Sequence, residues 1–424
     1  MRDSIRPRSA KRERSNLIMK AYILFLTVFS AIPLLNAQSL QELLRQAEAG
    51  NPKIQAYQLR YAVAGEKAGE ASSLPDTEFG AGLFVSEPET RTGAQKARFS
   101  VRQMLPWFGT ITARENYANA MAEAEFEELS LVRRQLALEV AGGYYELSAN
   151  KAQEKVLEET IVLLNTYEEQ AITAVEVGKA SAVDVLRIQI RKNELQERLQ
   201  VLKQQYLARE ASLNNLLNRD IRTEIHTMEL PPIPPEEPGP ADGELTMHPE
   251  LLKYDKLYEG VRQAELLNRK ESAPNLGVGL DYVPVQERAG MNFSDNGKDI
   301  LMPMVSVTVP IFNSTYASRT RQNTLRQQEL EAMKKEREND LKSRLESAIA
   351  ARNVARIQYM TQLANLEQAG HAEQILIRNY ETGTVDFNDV LDIQELQLNF
   401  RMKMIAAQRA YYSQAAMINY ILGL

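Results

Sequence analysis

The chain has no cysteine, three histidines and one tryptophan among its 424 residues. Without cysteine it can form no disulfide, thiolate zinc site, catalytic thiol or lipid-accepting N-terminal cysteine. The histidines, His226, His248 and His371, are scattered, and none stands at a metal-ligand spacing. Neither a phosphate-cradling glycine loop nor a nucleophile elbow occurs. No enzyme chemistry, resident metal or cofactor is therefore expected. A net charge of −6 argues against a nucleic-acid partner. Beyond the first 37 residues, no apolar run is long enough to cross a bilayer as a helix.

The first 37 residues read differently. "MRDSIRPRSAKRERSNLIMK" is strongly basic, "AYILFLTVFSAIPLL" is apolar, and "NAQ" offers Ala37 as a cleavage point. That order predicts a signal peptide over 1–37, with Met19 as an alternative start. An N-terminal anchor is the other reading, but the run is short for a spanning helix.

What is present is mostly a unit written twice. "VEVGKASAVDVLRIQ" at 175–189 returns as "YETGTVDFNDVLDIQ" at 380–394. The flanks agree as well. "GNPKI" at 50–54 answers "MHPEL" at 247–251, "LPDTEFGAGLFV" at 74–85 answers "APNLGVGLDYV" at 273–283, and "VRQMLPWFG" at 101–109 answers "VSVTVPIFN" at 305–313. Landmarks recurring in one order mark a tandem duplication, 38–227 and 245–424. Between the repeats, "MELPPIPPEEPGPADGE" at 228–244 is too rich in proline for helix or central strand and reads as an extended linker.

Each repeat predicts the same elements. From Gly109 to Val177 only Gly142 and Gly143 interrupt, and apolar residues recur at Leu129, Val132, Leu136, Val140, Tyr144 and Leu147. A helix over 110–177 would be about 100 Å long at roughly 1.5 Å per residue. Helices over 39–72 and 184–219 nearly match it in combined length, so they can stack end to end beside it. The second repeat gives a long helix over 313–381 with shorter ones over 244–272 and 387–422. Narrow apolar stripes on such long helices predict coiled-coil-like packing in a tube wall. Strands alternate in "KARFSVRQML" and in "ILMPMVSVTV", giving hairpins over 74–105 and 275–310, each strand with one apolar and one polar face. Four strands leave open edges, which lipid does not tolerate; three copies supply twelve, an acceptable barrel. The apolar faces would meet lipid and the polar faces a wet lumen. Trp107, Phe108 and Phe312 would mark the membrane interface. A soluble β-domain on a periplasmic coiled-coil scaffold is the alternative.

The glycine phrases must be the turns between a long helix and a short one. Gly178 and Gly383 suit a helix C-cap. Asp184 is expected to cap the first returning helix, and Asp389 or Asp386 the second. Capping does not account for Asp392, which shares a helix face with Asp389. Arg187 stands where the second copy has Asp392, allowing an Asp–Arg pair across the tip. Met302 and Met304 share a strand face and suggest either soft-metal thioether ligands or packing.

The duplicated phrase, the "LPWFG" and "VPIFN" blocks and the closing "YYSQAAMINYILGL" together resemble the TolC family of outer-membrane efflux channels, over about 39–422. The resemblance implies a mainly α protein with a small β part, a homotrimer with a twelve-stranded barrel and a long helical barrel across the periplasm. Its partners would be a periplasmic adaptor, an inner-membrane pump of the RND type and outer-membrane lipid. It implies aperture acids at Asp389 and Asp392 and a closing tyrosine at Tyr380. Adaptor contacts would fall at Gly178, Lys179, Ser181, Asp184, Arg187, Gly383, Thr384, Asp386 and Phe387. The arginine that some members carry two residues after the second glycine is Val385 here. "QMLPWFGT" and "PMVSVTVPIF" look closest to the heavy-metal branch, though the lipid-bearing cysteine of many such members is absent.

Overall fold

A computed structural model describes residues 39–178, 181–236, 245–382 and 384–423. The segment expected to be a signal peptide, Lys179, Gly383 and the 237–244 part of the linker lie outside the described residues. Helices α1 (Leu40–Gly50) and α2 (Pro52–Ala71) lead into strands β1 (Thr77–Leu83), β2 (Glu89–Thr90), β3 (Gly93–Gln95) and β4 (Ala97–Leu105). Helix α3 (Thr110–Glu176) follows, and α4 (Ala182–Leu216) returns. The second repeat opens with a 3₁₀ turn, Leu245–Met247, and continues with α5 (Pro249–Glu271), β5 (Asn275–Val283), β6 (Val285–Gln286), β7 (Ile300–Thr308), α6 (Thr315–Glu381) and α7 (Phe387–Leu422).

The single helix expected over 39–72 is two. Asn51 leaves the helical region, and Pro52 opens α2 in the first turn, where its missing N–H breaks no bond. Asn51 Oδ1 accepts from Lys53 N at 2.9 Å, and its Nδ2 donates to Leu216 O at 2.8 Å. Asn218 Nδ2 donates to Gly50 O at 3.0 Å, so α2 and α4 meet end to end along α3. In the second repeat α5 and α7 meet the same way along α6, with the Tyr420 hydroxyl donating to Glu250 Oε1 at 3.0 Å.

Helix α3 lies at the centre of one layer. Helices α2 and α4 pack on one side of it, α5 and α7 on the other, and α6 packs beyond those two. One core joins Leu43 and Ile54 to Val140, Leu147 and Leu213. A second, nearer the tips, joins Leu157 and Leu164 of α3 to Ile188 and Leu195 of α4 and to Phe387, Val390 and Leu398 of α7. The described part of the linker, 228–236, is strapped down: Ile233 is buried, the Tyr412 hydroxyl donates to Pro231 O at 3.1 Å, and Arg356 Nη1 donates to Pro235 O at 2.7 Å.

The two expected hairpins form one antiparallel sheet in the order β1-β4-β5-β7, because β4 also pairs with β5. The register sets Phe79 opposite Val101, Val101 opposite Leu280 and Leu280 opposite Pro303. One face therefore carries Phe79, Leu83, Phe99, Val101, Leu280, Tyr282, Leu301, Val305 and Val307, all exposed. The other carries Arg98, Ser100, Arg102, Asp281, Ser306 and Thr308. A second, three-stranded sheet β2-β3-β6 was expected only as loops. Arg288 holds it by pairing with Glu89 and donating to Thr90 O at 2.6 Å, and Gly297 N donates to Thr92 O at 2.7 Å.

Candidate functional site

The two turns fall at the same end of the helical layer, because α4 and α7 both return along α3. In the first, Gly178 adopts a φ of 72°, in the left-handed region that favours glycine, and its N–H donates to Val175 O at 3.0 Å. The cap of α4 is Ser181, not Asp184. Ser181 Oγ accepts from Val183 N at 3.2 Å while Asp184 Oδ2 accepts from Ser181 N at 3.2 Å, a reciprocal capping box. In the second turn Asp386 is the cap, with Oδ1 accepting from Asn388 N at 3.0 Å. Thr384 closes the end of α6, its N–H and hydroxyl both donating to Asn379 O at 2.9 Å.

Asp389 and Asp392 are exposed, and neither carboxylate makes a hydrogen bond or ion pair with another described residue. With Asp386 already at the cap, a second carboxylate folded back onto the same backbone would add like-charge repulsion, which favours Asp389 turned outward. Among the described residues of the single chain, Arg187 makes no ion pair with a tip aspartate. Arg187 and Asp392 both line a cleft of about 530 Å³ between α4 and α7, whose apolar floor includes Leu164, Leu195 and Leu398. The charge crossing that cleft is one turn further in: Arg191 pairs with Glu395 and with Glu194 at 3.0 Å. Glu395 follows Asp392 by three residues, so Asp389, Asp392 and Glu395 make one acidic stripe.

Tyr380 and Phe387 do not stand out from the tip. Phe387 is buried, with its ring 5.1 Å from Tyr380 and 5.6 Å, edge-on, from Tyr167 of the first repeat. Burial, reinforced by nearby Asp184 and Asp386, raises the Tyr380 hydroxyl above its ordinary range. Tyr167 is pushed up to about 12 by burial and by Glu373. Glu373 in turn accepts from Gln394 and, at 2.7 Å, from Gln397, locking α6 to α7. At the opposite end Trp107 is half-buried against Phe108, and Phe108 and Phe312 are exposed where β4 and β7 give way to helix.

Solved structures with this arrangement include outer-membrane channels. A search of the solved structures gives the outer-membrane channel OprN, at 17% identity with a TM-score of 0.72, covering 91% of this chain and 89% of that one. VceC from Vibrio cholerae, an outer membrane protein, gives 16% and 0.71, covering 91% and 96%. CusC gives 14% and 0.74, covering 90% and 91%. The chain has the fold of an outer-membrane channel. The family model described as "outer membrane efflux protein" matches residues 43–219, which fall within the first of the two repeats. A search of the curated proteins found no match. In the channel fold of this chain, no described helix is long and apolar enough to cross a membrane. Among the described residues no group of three or more His, Asp or Glu could hold a metal ion.

Proposed function

We propose that this chain is one third of an outer-membrane exit duct in a tripartite efflux pump. The observation that carries the proposal is the open sheet. Its two unpaired edges, β1 and β7, lie on the same two sides as the free edges of the helical layer, α2 with α4 and α6. Successive copies can then join β1 to β7 and α2 with α4 to α6, closing sheet and helices into one tube. Two copies would give eight strands, whose interior side chains fill; three give twelve and leave a passage. The exposed apolar face meets lipid, the polar face lines water, and Trp107, Phe108 and Phe312 mark the inner interface.

Three copies bring Asp389 and Asp392 into two stacked carboxylate rings at the narrow end, an aperture that attracts cations. The two turns, with Gly178, Ser181, Asp184, Thr384 and Asp386 at or near the surface, meet a periplasmic adaptor that links the duct to an RND-type inner-membrane pump. The substrates are heavy-metal cations, a reading supported by the acidic aperture and by the "QMLPWFGT" and "PMVSVTVPIF" blocks. The duct itself conducts passively.

Two measurements test the proposal. Detergent-extracted protein should migrate in electrophoresis as a compact trimer until it is boiled, and it should give discrete single-channel conductance in a planar bilayer. A water-soluble monomer without conductance would instead match a periplasmic scaffold.

A further inference from the structure

The polar face of the sheet carries a feature that a simple water-lined wall does not need. Between the row of Ser100 and the row of Ser306, its only apolar side chains are three methionines, Met104, Met302 and Met304. Within those rows the branched and aromatic residues of the same strands lie on the other face; Val283 and Ile300, which share the polar face, lie beyond the row of Ser100. The three surround the central strand β5. Met104 stands opposite Gly277, Met304 opposite Gly279 and Met302 opposite Asp281. A Cβ at Gly277 would lie 2.9 Å from Met104 Sδ, and one at Gly279 would lie 3.6 Å from Met304 Cε. Both thioethers therefore lean in over β5, above glycines one face-repeat apart, about 6.6 Å along the strand.

Asp281 completes the cluster. It is fully buried, and its Oδ2 pairs with Arg98. Its other oxygen, Oδ1, is buried with no partner. A buried carboxylate oxygen left without a donor is costly, and a cation satisfies it. Met302 is its direct cross-strand neighbour, with Cβ atoms about 5 Å apart in such pairs.

We propose that Met302 and Met304, together with the free oxygen of Asp281, form a binding site for a soft monovalent cation, Cu(I) or Ag(I), on the lumen face of the barrel, with Met104 bordering it. Neutral thioethers are soft donors that prefer such ions over Zn(II) or Mg(II). Three rotatable bonds let Met302 and Met304, neighbours on one strand face, close on the ion. The free Asp281 oxygen adds an anionic donor, while the other oxygen of the carboxylate stays with Arg98. The site is partly open, with Met104 and Met302 about two-fifths exposed, so an ion can enter and leave rather than be stored. This inference deepens the duct reading, because the polar face is a lumen only if the barrel closes.

The test uses the full chain in detergent. Ag(I) is titrated by calorimetry, and silver X-ray absorption reads the atoms around the ion. About one equivalent per chain with a sulfur-dominated shell is expected. Met302→Leu with Met304→Leu conserves volume and apolar character, so the sheet should fold as before. That double variant should lower Ag(I) affinity at least tenfold, while Met247→Leu, at an exposed methionine elsewhere, should leave it unchanged. Equal binding by wild type and the double variant, or an oxygen-only shell, overturns the site. Single-channel conductance of the same preparations separates the two readings. Conductance without methionine-dependent binding leaves the duct standing and removes the site. Methionine-dependent binding without conductance does the reverse.

Discussion

The two tips are written with nearly the same phrase and use it differently. In the first, Ser181 Oγ accepts from Val183 N while the Asp184 carboxylate accepts from Ser181 N, so the carboxylate is consumed by the cap. In the second, Asp386 caps alone, and the carboxylates of Asp389 and Asp392 project without a partner among the described residues. Duplication therefore preserved the turn, while a single position, serine or aspartate at the cap, decided whether the aspartate three residues on became structural or was left facing outward. The same divergence recurs where the short helices meet. The first junction is an amide clasp, Asn51 to Leu216 O and Asn218 to Gly50 O. The second is ionic: Glu250, buried, is held by Arg337 and by the Tyr420 hydroxyl, beside fully buried His248.

The junctions give the largest expected contrast. Arg337→Met would leave the Glu250 carboxylate buried without its cation, a loss of about 3–5 kcal/mol. Asn51→Ala removes a cap and one side-chain bond, for about 1–2 kcal/mol. Denaturant midpoints of the detergent-extracted protein should fall in that order. Equal midpoints would mean that the ionic junction is no more demanding than the amide one.

Acid should act on the second junction alone, and next in size. His248 Nδ1 accepts from Glu250 N at 3.3 Å, which requires the neutral ring. Burial holds its pKa at about 4 rather than 6.5, with Arg134, Arg337 and Arg344 acting in the same sense and Glu250 opposing. Above pH 6.5 neither folded nor unfolded chain binds the proton; between 6.5 and about 4 only the unfolded chain does. Stability should therefore fall with pH across that window, with a slope of about one proton per chain. Burial also works against the Glu250 carboxylate, but Arg337 and Tyr420 hold its pKa below the ordinary value, so its contribution disappears only at lower pH, in the same direction. His248→Asn keeps a cap acceptor without the titration. Melting curves of wild type and variant that fall in parallel would assign the acid loss elsewhere.

Much of this architecture was legible because long helices and alternating strands are periodic. The absence of proline between Gly109 and Val177 was enough for α3, and the Arg98, Ser100, Arg102 alternation for β4. The break at Asn51-Pro52 was missed because the apolar repeat runs on through it. The capping role of Ser181 was overlooked beside the more obvious aspartate, although Ser-x-x-Asp before an apolar run is itself a helix-start signal. The small sheet β2-β3-β6 has strands of two or three residues, too short to alternate. The Arg191–Glu395 pair and the seat of Phe387 on Tyr167 join different repeats, and no local pattern encodes them.

The smallest energetic effect is at the tips, and it is the one that converts one repeat into the other. Ser181→Ala should cost about 1 kcal/mol through the lost cap. Asp386→Ser should cost only a few tenths, since serine and aspartate cap about equally well. It recreates the Ser-x-x-Asp spacing of the first tip, and Asp389 should then turn back onto the backbone N–H of residue 386. The change to measure is electrical: with three carboxylates withdrawn from the aperture, cation selectivity in a planar bilayer should drop. Asp389→Asn removes the same charge without asking the side chain to move, so the two variants should shift the reversal potential alike. A shift with Asp389→Asn only would show that the serine cap does not recruit Asp389. No shift with either would place Asp389 away from the ion path.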